Sequence, residues 1–151
     1  MRRCDGNRIA AHLVLWGVMA LAAPPAFATF SIVARDAATG DLGVAVSTRA
    51  PAVGGAVPWA RAGVGAVATQ AFTNPEFGPR GLALLEQGMA PGAALAKLLV
   101  EDDRPERRQI GIIDAKGVAA SHTGRENIPY AGAMEGAGFT VQGNLLVIPI
   151  G

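Results

Sequence analysis

The 151-residue chain is poor in the residues that build covalent or metal frameworks: it has one cysteine, Cys4, and two histidines, His12 and His122. A lone cysteine cannot form a disulfide scaffold, and so few soft or borderline ligands argue against a zinc or other transition-metal centre. Charge of one sign is also missing, since 13 basic residues face 12 acidic ones. That balance leaves no electrostatic footprint for nucleic acid or an anionic membrane. No long apolar run is present either: the stretch from Leu13 to Ala23 is shorter than the roughly 20 residues needed to span a bilayer.

What is there begins with an export pattern. Arg2, Arg3 and Arg8 precede the apolar run, which ends at Pro24-Pro25 and the small-x-small triplet Ala26-Phe27-Ala28. Basic head, short apolar middle and small-residue exit describe a secretory signal peptide over residues 1–28, and place the protein in the periplasm or outside the cell. A buried N-terminal helix or an uncleaved anchor is the competing reading, and the two prolines oppose it. Cleavage after Ala28 removes the cysteine, three basic residues and one acidic residue, leaving 10 basic against 11 acidic. The remaining residues, 29–151, suffice for one domain with a single core, free of the membrane once cut. They would begin with threonine, which then carries a hydroxyl and a free α-amine on one residue, a nucleophile beside its own base.

From there the chain alternates. Thr29 to Arg35 has period-2 character, with Phe30, Ile32 and Ala34 on one face and Thr29, Ser31, Val33 and Arg35 on the other. A turn at residues 36–41 joins it to a second strand, Leu42 to Thr48, so antiparallel pairing returns Arg49 to the neighbourhood of Thr29. An exposed ion pair is the alternative role for Arg49. Residues 50–63 read as a Gly/Pro-rich loop in which Trp59 packs onto the core or lines a pocket. Gly63-x-Gly65-x-x-Ala68 is not a dinucleotide fingerprint, because no strand precedes it and no helix start follows. Its glycines instead suit close approach of a strand to its neighbours.

Two helices follow, one opening near Gly78-Pro79-Arg80 and stopping before Gly88, the other opening at Pro91. The mixed-charge run Glu101 to Arg108 reads as a solvated connector. Gln109 to Ile113 and Val118 to His122 form a hairpin, on which Ser121 and His122 point to opposite faces and so cannot act as a catalytic dyad. Residues 124–138 read as a loop, followed by a strand from Phe139 to Gln142. Asn144 at its exit suits an oxyanion donor or a turn asparagine in the left-handed region.

The blocks Thr29 to Asp36, Leu42 to Ser47, Val57 to Gln70, Phe77 to Gly81, Arg108 to Asp114, His122-Thr123-Gly124 and Val141 to Asn144 together resemble the domain-of-unknown-function family 1028 (DUF1028). The resemblance covers about residues 29–145. It implies an α+β fold, an N-terminal-nucleophile (Ntn) hydrolase-like α/β/β/α sandwich of mainly antiparallel sheets, here incomplete at the C-terminal end, where the apolar run Leu145 to Gly151 has the look of a truncation. It also supports the cut after Ala28. The expected activity is hydrolysis of a small amide or peptide by Thr29, with Arg49 anchoring an acidic group or orienting the amine, and Gln70 and Asn144 as oxyanion or positioning donors. No metal or cofactor is expected. Lys97 and Lys116 fall on helix and turn, so neither is assigned a catalytic role. An exported binding module without catalysis, or a remnant that does not fold stably, are the other classes, and an exposed sheet face would favour self-association into a homo-oligomer.

Overall fold

The computed structural model describes residues 27–150. The signal-peptide expectation lies outside the described residues, except for Phe27 and Ala28.

Eight strands form two antiparallel sheets of four. The first contains β1 (Thr29–Arg35), β2 (Leu42–Ser47), β7 (Gly132–Gly136) and β8 (Phe139–Asn144), in the order β2-β1-β8-β7. The second contains β3 (Pro58–Arg61), β4 (Gly65–Ala71), β5 (Arg108–Asp114) and β6 (Ala119–Thr123), in chain order. Helices α1 (Phe77–Glu86) and α2 (Pro91–Val100) cover the outer face of the second sheet. Among the described residues the layers are therefore sheet, sheet, helices, an α+β arrangement, and neither helix is long and apolar enough to cross a membrane.

Alternation along β4 and β5 explains the layering. Val67, Ile110 and Ile112 face the helices and pack with Phe77, Leu82, Leu95 and Leu98. Ala66, Ala68 and Ile113 face the first sheet and pack with Val33 and Val57. Both faces of these strands are buried, which is why they read as near-continuous apolar runs. Close contact requires glycine at several places, among them Gly111, where a Cβ would lie 2.3 Å from the Gln142 side chain, and Gly78, where one would lie 2.1 Å from the Trp59 ring. Trp59 thus belongs to the core, and its indole N–H donates to Ala56 O at 3.1 Å. Pro91 opens α2 after an extended Ala90, where its missing N–H costs nothing, and Gly88 ends the turn after α1 with φ of 83°.

Three readings of the sequence are corrected. The loop expected at residues 50–63 contains β3, and that at 124–138 contains β7; both strands are short and glycine or proline interrupts their alternation. The connector before β5 is not solvated throughout. Arg108 and Asp102 pair within it with side-chain exposures of 8% and 3%, and Arg108 Nη1 also donates to Phe72 O at 2.6 Å. The more apolar face of β1 points outward: Phe30 and Ile32 are 49% and 36% exposed, and Met134 of β7, at 49%, shares that face across Val141 of β8.

Candidate functional site

Thr29 begins β1, a central strand, and its position follows from two ladders. Pairing with β2 sets Phe30 opposite Ser47, and pairing with β8 sets Thr29 opposite Asn144. The next residue of the β2 side, Thr48, brings its hydroxyl oxygen to 2.9 Å from Thr29 Oγ1. A cavity of about 510 Å³ opens at this end of the sheets, and Thr29, Arg49, Gln70 and Asn144 all line it. The four residues expected from the sequence therefore meet at one place, although they come from four separate stretches of chain. Arg49 forms no ion pair among the described residues; its guanidinium lies 4.7 Å above the ring of Phe27, which lines the same cavity.

Behind the cavity lies a residue that sequence reasoning missed. Gln109 of β5 is fully buried between the sheets. Its Oε1 accepts hydrogen bonds from Gln70 Nε2 at 2.7 Å and Asn144 Nδ2 at 2.9 Å. Its Nε2 lies within 3.0 Å of Gly132 O and 2.9 Å of Gly143 O, with Thr123 Oγ1 also at 3.0 Å. One amide thus joins β4, β6, β7 and β8 across the gap between sheets. The signal for it was a glutamine on the same face as Gly111 and Ile113 in an otherwise apolar strand, a polar group that burial obliges to find partners. A second network, from Ser31 Oγ to Gln142 Oε1 at 2.9 Å and from Gln142 Nε2 to Thr140 Oγ1 at 2.7 Å, continues the polar seam away from the cavity.

Asn144 is the last residue of β8 and is buried, so it is not the left-handed turn residue that was one of its two readings. Leu145 takes that conformation instead, with φ of 56°. Ala71 and Ala52 share it, with φ of 67° and 55°. Ala71 and Leu145 line the cavity, and Ala52 sits between the lining residues Pro51 and Val53. For residues with a Cβ this costs roughly 1–2 kcal/mol each, and strain of that kind gathers at sites where surrounding structure imposes a geometry. Here the Arg108 hold on Phe72 O pins the chain one residue beyond Ala71.

Electrostatics reinforce that anchor. Burial works to raise the Asp102 carboxyl, but hydrogen bonds from the Arg108 side chain, the Arg104 N–H and the Asn74 side chain outweigh it and hold the group below its ordinary value of 3.8. Ser121 and His122 are turned to different partners: Ser121 Oγ donates to Glu135 Oε1 at 2.6 Å, while His122 Nε2 lies 2.9 Å from Pro105 O. They form no dyad. Asn127 is buried as well, its Nδ2 donating to Arg108 O and Gly124 O at 3.0 and 2.8 Å.

Fold and site define a protein of two stacked antiparallel sheets with a threonine-headed central strand opening onto a polar-backed cavity. The chain belongs to the DUF1028 family, a family of unknown function, whose profile matches residues 29–149. It is similar to the crystal structure of a DUF1028 protein from Silicibacter pomeroyi, with 34% sequence identity and a TM-score of 0.76 over 79% of this chain. The match covers 53% of that protein, so this chain spans about half the length of that relative. No curated protein matches the chain.

Proposed function

We propose that this protein is an exported N-terminal-threonine amide hydrolase with an Ntn-type fold, and that the cavity at Thr29 is its active site. The observation that carries the reading is the convergence of Thr29, Arg49, Gln70 and Asn144 on one cavity, with the Thr29 hydroxyl at the first position of a central strand. With Ala28 attached, the Thr29 nitrogen is a peptide nitrogen and no base. Removal of residues 1–28 converts it to an amine whose reference pKa of about 7.7–8.0 suits general-base work near neutrality.

The chemistry then proceeds in two halves. Thr29 Oγ attacks the carbonyl carbon of the amide while the α-amine takes its proton; the C–N bond breaks as that proton passes to the leaving nitrogen, and an acyl ester remains on Thr29. Water gives a proton to the amine, its oxygen attacks the ester, and the proton returns to Oγ as the acid departs. Thr48, 2.9 Å from the nucleophile, orients its hydroxyl. Asn144 spends one amide hydrogen on Gln109 and keeps a second for the developing oxyanion. Arg49 is free to receive an acidic group of the substrate once Phe27 has left with the signal.

The test begins with the N-terminal sequence and intact mass of protein recovered from the periplasm or medium of cells expressing the full chain. A start at Thr29 is expected, with amide turnover that rises as pH passes through about 7–8. Thr29→Ala should lower turnover by a factor on the order of 10³ or more with the melting temperature preserved, whereas Thr29→Ser should keep measurable activity. Ligand binding with no turnover in either would instead identify a binding module.

A further inference from the structure

The direction of the hydrogen bonds around Gln109 dictates what the cavity can recognise. Gly132 O and Gly143 O can only accept, so the nitrogen end of the Gln109 amide must face them. Its oxygen end then faces Gln70 and Asn144, and both must present nitrogen to it. Gln70 is thereby forced to turn its own oxygen away from Gln109. That atom, Gln70 Oε1, is buried and has no hydrogen-bond partner among the described residues, on a side chain that forms part of the cavity wall with Thr29. A buried acceptor left unpaired is costly, and a native structure that keeps one usually supplies its partner from outside.

We propose that Gln70 Oε1 is the acceptor for the N–H of the bound substrate, and that Gln109 is the positioning residue that imposes this polarity. The inference rests on the reading that the cavity receives an amide, and it names the class: secondary amides carrying a carboxylate, as in N-acyl amino acids. The amide N–H meets Gln70, and the carboxylate meets Arg49, which has no acidic partner among the described residues. An ester of the same shape sets a lone pair against Gln70 Oε1 where the amide sets a hydrogen. The site therefore selects the amide over the intrinsically more reactive ester, as sites built around a substrate hydrogen bond reject analogues that lack it.

The matched probes are N-benzoylglycine and O-benzoylglycolate, which differ by one N–H replaced by oxygen. Binding of each is measured by calorimetry to protein expressed from the full chain with Thr29→Ala, so that neither probe is consumed. The amide should bind about tenfold tighter or more. Adding Gln70→Met, which keeps volume but removes the acceptor, should shrink the ratio to about twofold or less. Adding Gln109→Leu, which frees Gln70 to turn, should narrow the ratio while binding stays sensitive to Arg49→Ala; a purely structural role would weaken both probes alike. Should either added variant fail to fold, the ratio with Gln70 and Gln109 intact decides the matter. Equal affinity for the two probes would mean that the amide N–H does not meet Gln70 Oε1, and no binding of the amide would mean that the cavity does not receive it; either result overturns the proposal. Amide binding at the expected ratio, with no turnover by the unsubstituted protein, would sink the hydrolase reading and leave this inference standing.

Discussion

Gln109 is the residue whose removal should be felt most widely. It bonds to two backbone carbonyls and two side-chain amides at the junction of both sheets, and an apolar replacement leaves those partners buried without substitutes. Gln109→Leu is expected to destabilise the protein by about 3 kcal/mol, read from urea denaturation at unchanged slope. Thr29, by contrast, is half-buried at a strand end and its hydroxyl has one side-chain partner, so its loss should cost chemistry far more than stability. Strand pairing alone was enough to anticipate Arg49 beside Thr29, because a hairpin's register is local. Gln109 was not foreseen in the site, since its partners are 14 to 39 residues away and only sheet stacking brings them together.

At the scale of elements, the stretch between α2 and β5 is held by one buried ion pair. Asp102 Oδ1 and Oδ2 accept from Arg108 Nε and Nη2 at 3.0 and 2.9 Å, and the same guanidinium caps the chain at Phe72. Arg108→Ala should cost about 3–5 kcal/mol, because Asp102 would remain buried without its cation. The pH dependence follows in sign from the lowered Asp102 value. In the unfolded chain the carboxyl takes up its proton near 3.8, in the folded chain only at lower pH, so the pair's contribution is complete above 3.8 and is lost as pH falls below it toward the native value. Melting temperatures measured from pH 6 downward should fall in that window in the unsubstituted protein and fall less in Asp102→Asn. The alternating signs of residues 101–108 had suggested solvent on all sides; they do not distinguish a charge that faces water from one turned inward by the start of a buried strand.

For the molecule as a whole, the unequal covering of the two sheets is the dominant feature. The second sheet is sealed by α1 and α2, while the outer face of the first presents Phe30, Ile32 and Met134 among the described residues. A patch of that kind favours association. Ile32→Thr with Met134→Lys should therefore shift sedimentation toward the monomer at micromolar concentration, and change stability by less than about 1 kcal/mol because both side chains are already half in water. No shift would show that the face is not a contact between copies.

The sequence by itself determined the alternation of the main strands and helices, the two helix boundaries at Pro91 and Gly88, and the hairpins of β1 with β2 and of β5 with β6. These depend on period, turn chemistry and local register, which act over a few residues. Which face of β1 turns inward was decided only by tertiary structure: the polar seam of Ser31, Gln142 and Gln109 lies between the sheets, and the more apolar face of β1 lies outside. The short strands β3 and β7 likewise exist because longer neighbours pair with them. Tertiary structure also turned Gln70 so that its oxygen is left without a partner, because that orientation is set by two carbonyls on a different sheet.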